Sequence, residues 1–140
     1  MKIKVSEAMS KNPIVISPNE FLPSCARKML INNVGGILIV KNSKLYGIVT
    51  EKDIVERAVA KELDVKKVKV EDIMSVNMVT ISPEADLQKA IEIDNKEDIR
   101  RLAVTEKDKL VGLLTMKDTL RKEPELIKSI KEDFLKRRKK

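Results

Sequence analysis

The sequence predicts an α+β fold made of two copies of one β-α-β-β-α unit, followed by a C-terminal helix. The heptapeptide Gly-Ile-Val-Thr-Glu-Lys-Asp at 47–53 has a similar counterpart, Gly-Leu-Leu-Thr-Met-Lys-Asp, at 112–118, an offset of 65 positions (112 − 47 = 65). The same offset relates the two copies from Val5 and Val70 onward without an insertion. In each copy, apolar runs of strand length alternate with stretches whose apolar residues recur every three or four positions. One such unit is too small to hold a core. We therefore expect the copies to pack sheet against sheet with pseudo-two-fold symmetry.

The first copy begins with a short helical turn at 5–9 and a brief strand at 14–16, which a Ser-Pro pair ends. A helix is expected from Pro23, because proline suits the first helical position. Its apolar residues fall at three-and-four spacing and predict the buried face. They are Ala26, Met29 and Leu30.

A hairpin follows, with strands at 37–40 and 45–49 joined by a polar turn. Its near-continuous apolar runs predict strands that are covered on both faces. A second helix opens at Thr50. The second copy repeats these elements 65 residues further on (Thr115 for Thr50).

These elements set the predicted boundaries. They are residues 1–62 for the first copy, 63–69 for a charged linker, 70–123 for the second copy, and 124–140 for an amphipathic helix with a basic tail. In the last segment the apolar residues share one helical face. They are Leu126, Ile127, Ile130 and Phe134.

Composition excludes several classes of protein. The chain has no His and a single Cys, which removes most zinc sites, Ser-His and Cys-His catalysis, and disulfides. We therefore expect no enzyme, no metal site and no required cofactor. Cys25 is expected to be a buried small hydrophobic residue, with a reactive thiol as the alternative. No apolar run has the length of a membrane span and no signal segment is present, so we expect a soluble, cytoplasmic protein.

The repeated motif Gly-h-h-Thr-x-x-Asp (h is apolar) has two interpretations. Thr50 and Thr115 are good N-caps, and an Asp three residues later completes a capping box, with the glycine relieving crowding. Alternatively, the helix N-terminus and the Thr hydroxyl suit a phosphate, the Asp suits ribose hydroxyls, and the glycine lets a base approach the backbone. Because the motif occurs twice in register, we favour a nucleotide site.

Further features recur in the same order. Val-x-x-x-Met-Ser stands at 5–10 and 70–75, and each copy then has an apolar strand, Ser-Pro, the hairpin and the Gly-h-h-Thr-x-x-Asp motif. Over residues 5–123 this pattern resembles a tandem pair of CBS domains, the regulatory module of cystathionine β-synthase, inosine monophosphate dehydrogenase and the γ subunit of AMP-activated kinase. The resemblance implies a sandwich with two clefts that often dimerises into a disc. It also implies adenosine ligands, namely AMP, ADP, ATP, S-adenosylmethionine or methylthioadenosine.

The resemblance places Asp53 and Asp118 at ribose hydroxyls and Thr50 and Thr115 by the ribose or phosphate. The residues it assigns to the base pocket are Val15, Ile16, Ile37, Thr80, Ile81 and Leu102. The copies then diverge, because Gly35-Gly36 in the first corresponds to Arg100-Arg101 in the second. An Arg pair near a helix N-terminus is a phosphate clamp or two solvated charges. Lys52 and Lys117 are open to the same two interpretations.

We therefore predict that the Thr115/Asp118 site prefers phosphorylated ligands. The leading hypothesis is a ligand-sensing module that stands alone, forms a homodimer and regulates a separate, unidentified protein. The alternative is a nucleic-acid-binding protein that uses its basic end. That end accounts for five of the positive charges in a chain of net charge +7 and consists of Lys136, Arg137, Arg138, Lys139 and Lys140.

Overall fold

Two groups of three strands, each with its own helices and its own apolar core, make up the part of the chain that the computed structural model describes, residues 2–97 and 101–122. We name them by their strands. The β1–β3 unit comprises Pro13–Met78 and Asp108–Leu110. The β4–β6 unit comprises the described residues of Met1–Asn12, Val79–Lys107 and Val111–Lys140. The predicted α+β class and the two copies of one unit are confirmed.

In the β1–β3 unit, the strand order is β1-β2-β3, with β1 parallel to β2 and β2 antiparallel to β3. The elements are β1 (Val15–Ile16), α2 (Leu22–Asn32), β2 (Gly36–Lys41), β3 (Lys44–Thr50), α3 (Glu51–Ile54), a π-helical turn (Val55–Val59), a 3-10 turn (Val65–Lys67) and α4 (Val70–Ile73). Asn42 and Ser43 both have positive φ, at 52° and 67°, as a two-residue hairpin turn requires. The turn sets the pairs Lys41–Lys44 and Val40–Leu45, and a bulge next to Val40 then shifts the register by one residue, so that Gly36 pairs with Thr50.

The β4–β6 unit repeats this arrangement. Its strands follow the order β4-β5-β6, with β4 parallel to β5. The elements are α1 (Val5–Ala8), β4 (Thr80–Ile81), α5 (Leu87–Glu97), β5 (Arg101–Glu106), β6 (Lys109–Thr115) and α6 (Met116–Lys122). The double cover expected for both hairpin strands is seen in the first of them, because three consecutive residues of β2 and three of β5 are buried. It is not seen in the second, since buried residues alternate with partly exposed ones towards the ends of β3 and β6.

The short first helix of each sequence repeat belongs to the unit formed by the other repeat. α1 packs in the β4–β6 unit, where Val5 N donates to Ala85 O at 2.9 Å and the Val5 side chain is completely buried. α4 packs in the β1–β3 unit, where Val70 N donates to Glu20 O at 2.9 Å. The sequence repeats and the compact units therefore have different boundaries.

One expectation for the helices is wrong, and one helix differs in its geometry. The buried face of α2 is formed by Leu22, Cys25 and Met29, whereas Ala26 is exposed and Leu30 is 81% exposed. Both arrangements have helical spacing, so the sequence pattern did not distinguish them. The helix after Thr50 is α-helical for one turn and then widens into the π-helical turn, where Ala60 N donates to Val55 O at 2.8 Å.

The predicted C-terminal helix and basic tail lie outside the described residues, as does Arg100. Nucleic-acid binding by the tail stays a prediction. Within the described part, no helix is long and apolar enough to cross a membrane.

Candidate functional site

The start of α3 is closed by a reciprocal pair of hydrogen bonds. Asp53 N donates to Thr50 Oγ1 at 3.2 Å, and Thr50 N donates to Asp53 Oδ2 at 2.9 Å. This is the capping box that the sequence predicted, and it satisfies two N–H groups that have no partner within the helix. The Asp53 side chain is only 12% exposed. The cap therefore holds one oxygen of a nearly buried carboxylate in a fixed position.

The second oxygen of Asp53 faces two groups outside the cap. Ser75 Oγ donates to Asp53 Oδ1 at 3.5 Å, and Arg57 Nε lies 3.7 Å from the same oxygen. Oδ2 thus accepts a backbone hydrogen bond, whereas Oδ1 faces side chains. Because the hydrogen bond from Ser75 is long, Oδ1 is the atom of this site that can accept a stronger one from a ligand hydroxyl.

Gly47 is in close contact with the segment that follows α4. Ser75 pairs with Ile48 through two backbone hydrogen bonds of 2.9 and 3.0 Å. A Cβ on Gly47 would lie 2.6 Å from Ser75 O and 3.0 Å from Met74 Sδ. The hypothesis that this glycine opens the backbone to a ligand base is therefore wrong, because the protein's own chain fills that space. The alternative interpretation, relief of crowding, is correct.

The β4–β6 unit contains the same construction. Asp118 N donates to Thr115 Oγ1 at 3.3 Å and Thr115 N to Asp118 Oδ2 at 3.0 Å. The second oxygen, Oδ1, is 3.9 Å from Arg121 Nη1, and the Asp118 side chain is 14% exposed. Here the residues that crowd the glycine, Gly112, are Met9 and Ser10 of the α1 segment. In each unit the strand that leads to the cap thus contacts a Met-Ser pair, and the two caps match in their hydrogen bonds.

The other predicted site residues fall into three groups. Ile16, Ile37, Ile81 and Leu102 are buried members of the two apolar cores. Val15 is half-buried, beside Leu38 on the neighbouring strand, and Thr80 is exposed beside Ala103. Lys52, Arg101 and Lys117 are exposed. The pairing of β2 with β3 places Thr50 beside Gly36, the first residue of β2. That any of the predicted site residues contacts a ligand stays a prediction.

A cleft of about 280 Å³ lies in the β1–β3 unit between the end of α2 and the start of α3. Its lining combines apolar side chains, among them Met29 and Ile54, with about as much polar surface, to which Asn33 and Glu51 belong. The Glu51 side of the cleft is acidic, and Glu51 N donates to Gly35 O at 3.0 Å. The cleft therefore lies next to the Thr50 cap. It adjoins the exposed residues Leu30 and Ile31, each 81% exposed.

Cys25 is completely buried in α2, as expected for a small hydrophobic residue. Burial raises the pKa of its thiol from 9.0 to about 11, with Lys28 opposing this shift. Among the described residues, no group of three or more His, Cys, Asp or Glu side chains could hold a metal ion.

We expect native protein at pH 8 to react negligibly with iodoacetamide, because about one thiol in a thousand is ionised three pH units below its pKa. Unfolding in urea should give full labelling by mass spectrometry, and Cys25→Ala should give none in either state. Stability should fall as the pH rises from about 9 to about 11, because the unfolded thiol loses its proton first. Rapid labelling of the native chain would contradict this.

Sequence reasoning missed the residues around Asp53 that come from other segments. Ser75 and Arg57 were assigned no role, although Val-x-x-x-Met-Ser recurs at the same offset as the Gly and Asp motif. That shared offset was a usable signal, because two motifs repeated in one register are candidates for mutual contact. Arg57 gave no such signal, since Lys122 replaces it in the second copy (57 + 65 = 122).

A duplicated three-stranded α+β unit with a Thr–Asp cap after the third strand defines a class of paired modules. The family model of the CBS domain matches residues 5–60 and 70–125. The chain therefore belongs to the CBS domain family, and it carries two of these domains. CBS-domain pairs are generally regulatory ligand-binding modules.

Similar proteins agree with this family. An uncharacterized protein of Methanocaldococcus jannaschii is 35% identical over 125 residues, which is 87% of this chain and 67% of that protein. The solved structure of the AcuB protein of Vibrio cholerae matches with a TM-score of 0.81 and 26% identity, over 94% of this chain and 98% of that one. A hexameric CBS-CP12 protein from bloom-forming cyanobacteria matches with a TM-score of 0.71 and 26% identity, over 86% and 67% of the two chains.

Proposed function

We propose that this protein senses adenosine nucleotides or adenosyl compounds at its two Thr–Asp caps and regulates a separate protein. The observation that carries the proposal is that the two carboxylate oxygens of each aspartate have different contacts. One carboxylate oxygen is fixed by the cap, while the other, Asp53 Oδ1 or Asp118 Oδ1, has only contacts of 3.5 Å or longer among those described. A fixed carboxylate that is 12–14% exposed is suited to accept from the paired hydroxyls of a ribose.

Phosphate preference is proposed for the Thr115/Asp118 site. Gly36 is paired with Thr50 across β2 and β3, and Arg101 is the equivalent of Gly36 in the repeat (36 + 65 = 101). Arg101 and Lys117 are both exposed and can reach an anion without the loss of a buried partner. The Thr50/Asp53 site has Gly35-Gly36 there and is proposed to take an uncharged adenosyl group or to stay empty.

The proposed function is tested by mass spectrometry of small molecules released from the purified protein. We expect AMP, ADP, ATP, S-adenosylmethionine or methylthioadenosine at a stoichiometry that falls in the variant Asp53→Asn/Asp118→Asn. Release of a ligand without an adenosine group would contradict the proposal, as would retention of the same amount by the double variant.

We also propose a cytoplasmic location. It suits a chain whose single cysteine, Cys25, is free and buried, since disulfides are rare in that compartment.

A homodimer is proposed through the exposed face of α2 and the adjoining helix. Leu30 and Ile31 are each 81% exposed, and Val55 and Val59 of the π-helical turn are 58% and 57% exposed. A second copy is the proposed occupant because the face is complementary in charge to itself. The charged residues of α2 are the basic Arg27 and Lys28, whereas α3 begins with Glu51. A two-fold arrangement can bring these opposite charges together.

We expect Leu30→Lys/Ile31→Lys to convert a dimer to a monomer in sedimentation equilibrium. Its folding stability should change little, because both side chains are already exposed to water. The control is Val76→Lys, an apolar residue that is 63% exposed in the same unit but belongs to neither α2 nor the π-helical turn. A wild-type monomer, or a double variant that stays dimeric, would contradict this interface.

A further inference from the structure

Arg57 joins the proposed ligand site to the end of α4. Its Nη1 donates to the carbonyl oxygens of Ile73 at 3.1 Å and Met74 at 3.3 Å. Its Nε lies 3.7 Å from Asp53 Oδ1. One guanidinium therefore contacts the ligand-binding carboxylate and two carbonyls of a different segment.

The two carbonyls are acceptors that a helix leaves unpaired. α4 ends at Ile73, and the last carbonyls of a helix have no partner within it. A cationic side chain at that place also complements the negative end of the helix dipole. Arg57 thus caps α4 from outside, and the planar guanidinium reaches both acceptors and Asp53 at once.

The residues after α4 are attached to the same carboxylate. Ser75 Oγ donates to Asp53 Oδ1, and Ser75 pairs with Ile48 in the strand that carries the motif. α4 is therefore fastened to the cap of α3 through Arg57 and Ser75. In sequence, α4 opens the second CBS repeat, while Asp53 and Arg57 belong to the first.

We propose that Arg57 is a positioning residue that couples occupancy of the Asp53 site to the attachment of α4. This inference rests on the proposed function, because it needs a ligand hydroxyl at Asp53 Oδ1. A hydroxyl that donates to Oδ1 competes with Arg57 Nε for that oxygen. The guanidinium is then held less firmly, which weakens its hydrogen bonds to the carbonyls of Ile73 and Met74. The linkage is specific to the first copy's motif, because the second copy has Lys122 at this position and its Asp118 pairs with Arg121.

The test is hydrogen–deuterium exchange at the amides of Met74 and Ser75, which donate to Val70 O at 3.0 Å and Ile48 O at 2.9 Å. In ligand-free Arg57→Gln we expect exchange about fivefold faster than in wild type, as when one net hydrogen bond is removed from a local opening. Arg57→Lys should resemble Arg57→Gln, because an ammonium group cannot bridge all three oxygens in this geometry. The control Lys41→Gln removes an exposed cation at the end of β2, in the same unit but outside the proposed dimer face, and should match wild type.

The second arm adds saturating methylthioadenosine, an uncharged adenosyl compound of the kind proposed for the Thr50/Asp53 site, with binding followed by calorimetry in the same samples. All samples of this arm carry Asp118→Asn, so that the Asp53 site gives the response. With Arg57 present we expect the compound to speed exchange at Met74 and Ser75, and in Arg57→Gln we expect it to add little while binding persists. Unchanged exchange in ligand-free Arg57→Gln overturns the role of Arg57 in holding α4. Heat from methylthioadenosine without a change in exchange overturns the coupling but leaves the proposed function standing. No heat overturns the coupling, while the ligand-free comparison still decides the role of Arg57 and AMP binding at the Asp118 site still decides the proposed function.

Discussion

Replacing Gly47 with alanine should destabilise the protein by about 1–3 kcal/mol, the usual cost of forcing extra volume into a packed site. The new methyl group would lie 2.6 Å from the backbone oxygen of Ser75, closer than real contacts allow. That oxygen cannot withdraw freely, because it accepts the hydrogen bond from Ile48 N at 3.0 Å. The free energy of unfolding in urea measures the effect.

Gly112→Ala repeats this test in the β4–β6 unit. There the methyl group would lie 2.5 Å from Met9 Sδ and 2.8 Å from Ser10 O. We expect a somewhat smaller loss than for Gly47→Ala, since the Met9 side chain can move and the carbonyl is slightly further away. Lys41→Ala, at the exposed end of β2, controls for added alanine and should stay within about 0.5 kcal/mol of wild type. Equal stability of all four proteins would contradict the crowding at the two glycines.

Removing the carboxylate of Asp118 should weaken AMP binding by about tenfold to a hundredfold, the range expected for lost hydrogen bonds to a charged group. Asp53→Ala should have a smaller effect on AMP, because the first copy carries Gly35-Gly36 where the second carries Arg100-Arg101. Calorimetric titration of both variants and the wild type measures the difference.

Loss of the cap complicates the alanine variant, since Asp118 Oδ2 also accepts from Thr115 N at 3.0 Å. Removing such a cap costs about 0.5–2 kcal/mol of stability. Asp118→Asn is the second variant, because its side-chain oxygen can still accept from Thr115 N while the negative charge is gone. Unchanged AMP affinity in both Asp118 variants would rule out this site as the main one.

Much of the fold was predictable because a strict repeat tests each assignment twice. The hairpins and the Thr–Asp caps follow from local patterns that recur 65 residues apart. The start of α2 follows from Pro23, which the second copy replaces with Gln88 (23 + 65 = 88). Local sequence patterns did not predict that α1 packs in the β4–β6 unit and α4 in the β1–β3 unit. That arrangement is decided by long-range packing, such as the contact of Ser75 with Gly47.

The site was predicted in its centre and missed at its edges. Thr50 and Asp53 form the expected cap, because capping chemistry depends on residues three apart in sequence. Ser75 and Arg57 reach the same carboxylate from 22 residues away and from the following turn, and only the folded chain brings them there. The α2 face was assigned wrongly because Leu30 continues a helical apolar pattern that faces solvent instead of the core.

The most direct test of adenosine sensing is a calorimetric titration of the wild-type chain with AMP, ATP and S-adenosylmethionine, with cytidine monophosphate as the control for the base. We expect saturable heat from at least one adenosine compound and none from the cytidine nucleotide. We also expect the heat to be lost in Asp53→Asn/Asp118→Asn, whose side-chain oxygens can still accept the two cap hydrogen bonds. Absence of heat from every adenosine compound, or equal binding of the cytidine nucleotide, would contradict adenosine sensing.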